Sequence, residues 1–151
     1  MTTLNFSEES RTVEQLTAVM LKEQDDLIKA NIENIPGLLE EKSQLVQQLS
    51  RLTHQRYQQL SALGFQASED GMLAWEKSNK DLSLDSAWTN LRQSLEKTRE
   101  LNRLNGLLIN KHLTRNQQAL QALQVNSGAP NLYGPNGQTT THSQLRSHII
   151  G

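Results

Sequence analysis

The stretch DSAWTNLRQSLEKTRELNRLNGLLINKHLTRNQQALQALQV, residues 85–125, decides the fold. It contains no proline and no helix breaker other than Gly106. Along it one stripe recurs every three or four positions: Trp88, Leu91, Leu95, Thr98, Asn102, Asn105, Ile109, His112 or Leu113, Asn116, Leu120 and Leu123. That spacing is the signature of one face of an α-helix. At 1.5 Å of rise per residue the helix is roughly 60 Å long. A compact domain of this size does not need such a helix, so it is expected to span its partners lengthwise and overhang them. The stripe is leucine at its ends and polar in its middle.

Two more helices are legible upstream. Ser7 or Thr12 is the candidate cap of the first, Thr12 with Gln15 having the spacing of a capping box. Val13, Leu16, Met20, Leu27 and Ile35 follow one stripe, broadened by Leu21, Ile28 and Ile32. Ile35-Pro36-Gly37 breaks the pattern, since proline disfavours helix in the residue before it and suits the first turn of the next. A second helix is expected from about Pro36 to Leu63, with Leu38, Leu45, Leu49, Leu52, Leu60 and Leu63 on one face and Gly64 as its stop. The two should form an antiparallel hairpin. Between residues 64 and 87 the pattern is mixed: Glu69 to Lys77 reads as a short helix with Met72, Leu73 and Trp75, and Asn79 to Asp85 as a turn.

Composition supports helix throughout. Leucine supplies 25 of the 151 residues and glutamine 16, while aromatics make up only 4%. Straight-chain residues favour helix, and the residues that suit strands are scarce. Mean hydropathy is −0.62, which points to thin leucine layers rather than a thick core. After residue 125 the character changes: residues 126–151 hold no acid, one arginine, four of the eight glycines and two of the three prolines. Such a segment buries too little apolar surface to offset its ordering entropy, so the expected organisation is a helical domain, 1–125, and a flexible tail, 126–151.

Charge and side-chain chemistry exclude several function classes. There is no cysteine, hence no disulfide, thiolate ligand or thiol nucleophile. The chain shows no Glu-x-x-His pair, phosphate-binding glycine loop or nucleophile elbow, and its paired acids point in different directions on helices. No catalytic residue, cofactor or metal site is expected. Net charge is −1, but residues 1–35 carry three basic residues against seven acidic and residues 86–125 six against two. Those two segments are expected to lie side by side. The basic run Arg92, Lys97, Arg99, Arg103, Lys111 and Arg115 is interrupted by Glu96 and Glu100 and has no aromatic between its members, which argues against nucleic acid. No stretch has the basic start and apolar run of a leader or the length of a membrane span, so a cytoplasmic protein without stable membrane insertion is expected.

Two clusters remain. Asn102, Asn105 and Gly106 place polar groups and a close-approach position on a helical core line, which fits helix register, with direct contact to a partner as the other reading. Leu132, Tyr133 and Gly134 lie among turn formers, where a leucine–tyrosine pair has the form of a short docking motif and an idle terminus is the other reading.

LNRLNGLLI (residues 101–109), Asn116-Gln117-Gln118-Ala119-Leu120 and Leu132-Tyr133-Gly134-Pro135-Asn136-Gly137-Gln138-Thr139 together resemble the FlgN family of flagellar export chaperones. Leu39-Glu40-Glu41-Lys42-Ser43-Gln44-Leu45 resembles that family's second helix. The resemblance implies a non-enzymatic long-helix fold with a flexible tail. It also implies binding to the C-terminal helical segments of the hook–filament junction proteins FlgK and FlgL, and docking on the export-gate protein FlhA. Carried onto this chain, the docking tyrosine falls on Tyr133, beside Leu132 and Gly134. Client contacts are assigned to Leu113, Leu120 and Leu123 on the last helix. The rival is a structural coiled-coil protein that only homo-oligomerises. The fold class expected is all-α: three long antiparallel helices, a short one and a tail.

Overall fold

A computed structural model describes residues 3–127. It contains α1 (Ser7–Ile28), a 3-10 turn (Ile32–Asn34), α2 (Ile35–Ala62), α3 (Glu69–Ser78) and α4 (Leu82–Ser127), with no strand among the described residues. The fold is all-α. α1 and α2 form an antiparallel hairpin. α4 runs parallel to α1, as the contacts Phe6–Trp88, Thr17–Thr98, Asn105–Glu23 and His112–Leu27 show. α1 packs along both α2 and α4, while α2 and α4 scarcely meet backbone to backbone. The three long helices therefore make a shallow trough with α1 at its bottom.

The helix ends explain most departures from the sequence reading. Thr12 does not cap α1. The chain is pinned further upstream by Leu4 and Phe6, both buried, and Asn5 Oδ1 accepts from the Ser7 backbone N–H at 2.9 Å and from its hydroxyl at 2.8 Å. Thr12 is buried within the helix, its hydroxyl donating to the Glu8 carbonyl at 2.9 Å. Asn79 to Asp85 is not a turn throughout. Asp81 starts α4: its Oδ1 accepts from the Ser83 N–H at 3.0 Å, the Ser83 hydroxyl at 2.7 Å and the Leu84 N–H at 3.4 Å. The Ser83 hydroxyl first, then these backbone donors, hold the Asp81 carboxyl below its usual range. α4 thus has 46 residues, about 70 Å of helix.

Both hairpin helices stop through paired C-terminal bonds. At α2, Phe65 N–H bonds to Leu60 O at 3.2 Å and Gly64 N–H to Ser61 O at 3.0 Å, with Gly64 at φ +91°. At α1 the same bonds run from Asn31 to Asp26 at 2.8 Å and from Ala30 to Leu27 at 3.2 Å, but the left-handed position is held by Ala30 at φ +56°. Glycine occupies such a position without steric cost; alanine does not. Leu21, Ile28 and Ile32, expected to broaden the α1 stripe, are more than half exposed.

The main core sits where α1 starts, α2 ends and α4 starts. Leu4, Phe6, Val13, Leu60, Met72, Trp75, Trp88 and Leu91 form one buried cluster. Phe6 lies edge-on to Trp75 at 5.7 Å between centroids and tilted against Trp88 at 5.6 Å, pairs worth about 0.5–1.5 kcal/mol each beyond their buried area. α3 supplies Met72 and Trp75 to this cluster. Ser68 caps it by accepting from Gly71 N–H at 3.2 Å. A Cβ on Gly71 would sit 1.7 Å from the Gln66 carbonyl oxygen, so only glycine lets the loop close here. A much smaller cluster, Leu27 with Ile109, closes the opposite end.

Candidate functional site

Between the two clusters the helices are joined by buried polar groups. Arg56 of α2 bonds to Glu9 of α1 at 2.9 Å and lies 4.7 Å over the Trp88 ring of α4. Burial pushes the Glu9 carboxyl above its usual range, against the opposing pull of Arg56. Further along, Glu23 of α1, fully buried, accepts from Lys42 of α2 at 3.5 Å and from Asn105 of α4 at 3.0 Å. Asn105, also fully buried, donates to the Met20 carbonyl at 2.8 Å as well. The acidic first segment and the basic last one do lie side by side, as their charges suggest. Their ion pairs go elsewhere: among the described residues none joins α1 to α4. Glu9 and Glu23 pair with α2, Arg92 with Glu76 of α3 at 3.2 Å, and Arg103 with its helix neighbour Glu100 at 2.6 Å.

The stripe of α4 meets two fates. Through Trp88, Leu91, Thr98, Asn105 and Ile109 it is buried. α1 then turns away at Ala30. Leu113 is the last stripe residue with a partner, half-buried against the Leu27–Ile109 cluster. The next 14 residues of α4, to Ser127, are about 20 Å of helix and contribute nothing to either buried cluster of the described residues. There Leu120 is 49% exposed and Leu123 65%. The leucines assigned to a client are thus split: Leu120 and Leu123 share an open face, and Leu113 belongs partly to the fold. Asn102 is half-buried with its Oδ1 buried and unpartnered, and Gly106 is half-buried beside Asn105. Of the tail expected over residues 126–151, the first two continue α4, and the rest, with Leu132, Tyr133 and Gly134, lies outside the described residues.

The polar links Glu9–Arg56 and Glu23–Lys42 had no local sequence signal, since their partners are 47 and 19 residues apart. Among the described residues no cluster of three or more His, Asp or Glu is placed to hold a metal, and no helix is long and apolar enough to cross a membrane.

Comparison with known proteins gives this exposed apolar face a setting. The family model described as "FlgN protein" matches residues 2–141. The chain belongs to the FlgN family. It is 30% identical over 135 residues to the flagella synthesis protein FlgN of Proteus mirabilis, covering 78% of this chain and 88% of that one. It is 32% identical over 127 residues to that of Salmonella typhimurium, covering 83% and 80%. With the Yersinia enterocolitica protein it shares 29% over 147 residues, 96% and 93% of the two chains. No solved structure matches the chain. FlgN proteins are flagellar chaperones, not enzymes, and this chain is a helical member with a role in flagellum synthesis.

Proposed function

We propose that this FlgN-family protein works in the cytoplasm on the hook–filament junction proteins of the FlgK and FlgL types. It binds their C-terminal helical segments, keeps them unassembled, and delivers them to the FlhA-type export gate. The observation that supports this most is the continuation of the α4 core stripe through Leu120 and Leu123 with no helix of the described residues opposite. An amphipathic client helix laid on that face would take the place that α1 fills further down. Covering the exposed remainder of the two leucines contributes about 1–3 kcal/mol, which suits a complex that must also release. Asn105 holds α4 in register against α1, because a shift of the helix would strand its buried amide and Glu23 without partners.

Gate docking belongs to the segment with Leu132, Tyr133 and Gly134. Titration calorimetry of the full chain with C-terminal peptides of the two junction proteins tests the client reading. Saturable binding to either supports it, and no binding to both overturns it. Tyr133→Ala should keep client binding and melting temperature while weakening FlhA cytoplasmic-domain binding at least tenfold; unchanged gate binding would remove the docking role. The open face of α4 is also one that a second copy could pair with. Light scattering distinguishes the two: a stable dimer that excludes the peptides would favour the homo-oligomeric reading.

A further inference from the structure

A second surface lies within the trough. Between α2 and α4 an open groove of about 550 Å³ has Leu16 and Met20 of α1 as its floor and Leu49 and Leu95 in its walls. Its lining also includes Arg56, Arg99 and Asn102. Arg56 is 3% exposed, and its Nη1 is buried with no hydrogen-bond partner, as is Asn102 Oδ1. Buried polar groups left in that state are costly, and each calls for an explanation. Arg99 is exposed, and among the described residues no carboxylate forms an ion pair with it. The acid of the lining, Glu69, is engaged by the Tyr57 hydroxyl. The groove is thus apolar at its bottom, with an unpaired cation, Arg99, at its rim; Asn102 Oδ1 asks instead for a donor.

We infer that this groove receives an amphipathic helical segment of a foreign protein that carries an Asp or Glu beside its apolar stripe. The apolar side chains cover the half-buried Leu49 and Leu95 above the buried floor, and the carboxylate accepts from the exposed Arg99 guanidinium, a charge-assisted contact stronger than a neutral one. Residues 101–151 of the chain itself contain no Asp or Glu and so cannot supply this carboxylate. Taking the foreign segment to be the client helix rests on the chaperone reading above; the preference for an acidic helix does not.

The chain has no cysteine, so Ser50→Cys places a single thiol in the groove wall of the full-length protein. A junction-protein peptide should slow maleimide modification of that thiol at least fivefold, and the same peptide with its acids changed to amides should not. Arg99→Glu should weaken the acidic peptide at least tenfold at unchanged melting temperature, and a lysine counterpart of the peptide should recover binding. If the peptide binds while the thiol stays accessible and Arg99→Glu has no effect, the groove is not its site, although the chaperone reading stands. If no junction peptide binds, the chaperone reading fails, and a designed acidic amphipathic helix with its lysine twin decides the groove alone. Preference for the acidic helix, lost in Arg99→Glu, supports the proposal; equal binding or none overturns it. Protection that rises with protein concentration without peptide would put a second copy in the groove and also overturn it.

Discussion

The two parts of α4 carry one stripe but meet different surroundings. From Trp88 to Ile109 the stripe faces α1 and is mostly buried, Leu95 and Asn102 being half-buried, with Thr98 and Asn105 matched by Thr17 at 3.1 Å and by Glu23 at 3.0 Å. From Asn116 onward the same face continues, and Leu120 and Leu123 on it join neither buried cluster of the described residues. The sequence of α4 does not mark the change; the end of α1 does. Residue pattern says which face of a helix is sticky, and the neighbours decide whether that stickiness is spent on folding or left for a partner. Substitutions at the buried stripe positions should therefore cost stability, and those at the open stripe positions should cost binding.

The largest loss is expected at Arg56→Ala. It removes the cation over Trp88 and leaves Glu9, 2% exposed, without its counter-charge. Breaking a buried pair in this way costs about 3–5 kcal/mol, measurable as a shift of the urea midpoint. A loss under about 1 kcal/mol would mean that the covered part is not held where it is described. Asn105→Ala comes next, at about 1–3 kcal/mol, because it withdraws a donor from a fully buried carboxylate.

pH probes the same region. The Glu9 carboxyl is raised by burial, so the folded protein holds its proton more tightly than the unfolded chain does. The sign follows directly: the Glu9 contribution is fully present below the ordinary carboxylate value of 4.5 and is lost as pH rises through the elevated folded value. The wild type should therefore lose stability relative to Glu9→Gln as pH rises from acid toward neutral. A difference that stays level or grows with pH would show that Arg56 outweighs burial.

Ala30→Gly tests where the cover ends. A left-handed alanine costs about 1–2 kcal/mol, and the extra freedom of glycine in the unfolded chain returns part of that. The net gain should be about 0.5–1 kcal/mol, with client affinity unchanged. Destabilisation would mean that α1 does not turn away at this residue.

The three long helices were legible because each repeats its apolar residues with the helical period. The Pro36 and Gly64 breaks were legible because proline and glycine mark local backbone geometry. The first turn of α4 was not, since Asp81 with Ser83 reads equally as a turn and as a cap until the following residues are seen to be helical. Leu4 and Phe6 were missed because they precede any repeat, and their burial depends on α3 and α4 meeting there. The Ala30 stop carried no signal at all, since alanine, a strong helix former, does not mark a left-handed position as glycine or asparagine does. The open face was legible as a stripe but not as open, because that depends on where α1 ends.

Leu120→Asp together with Leu123→Asp tests most directly whether the projecting end of α4 is kept for a partner. Both side chains are about half exposed or more, with no helix of the described residues opposite, so charge there should change stability by less than about 0.5 kcal/mol. The thermal melt of the double variant should overlay that of the wild type. Calorimetric affinity for the junction-protein peptides should fall at least tenfold, since the new carboxylates meet an apolar face that cannot pair them. A melting temperature lowered by several degrees, or peptide affinity equal to wild type, would contradict the assignment of this face to the client.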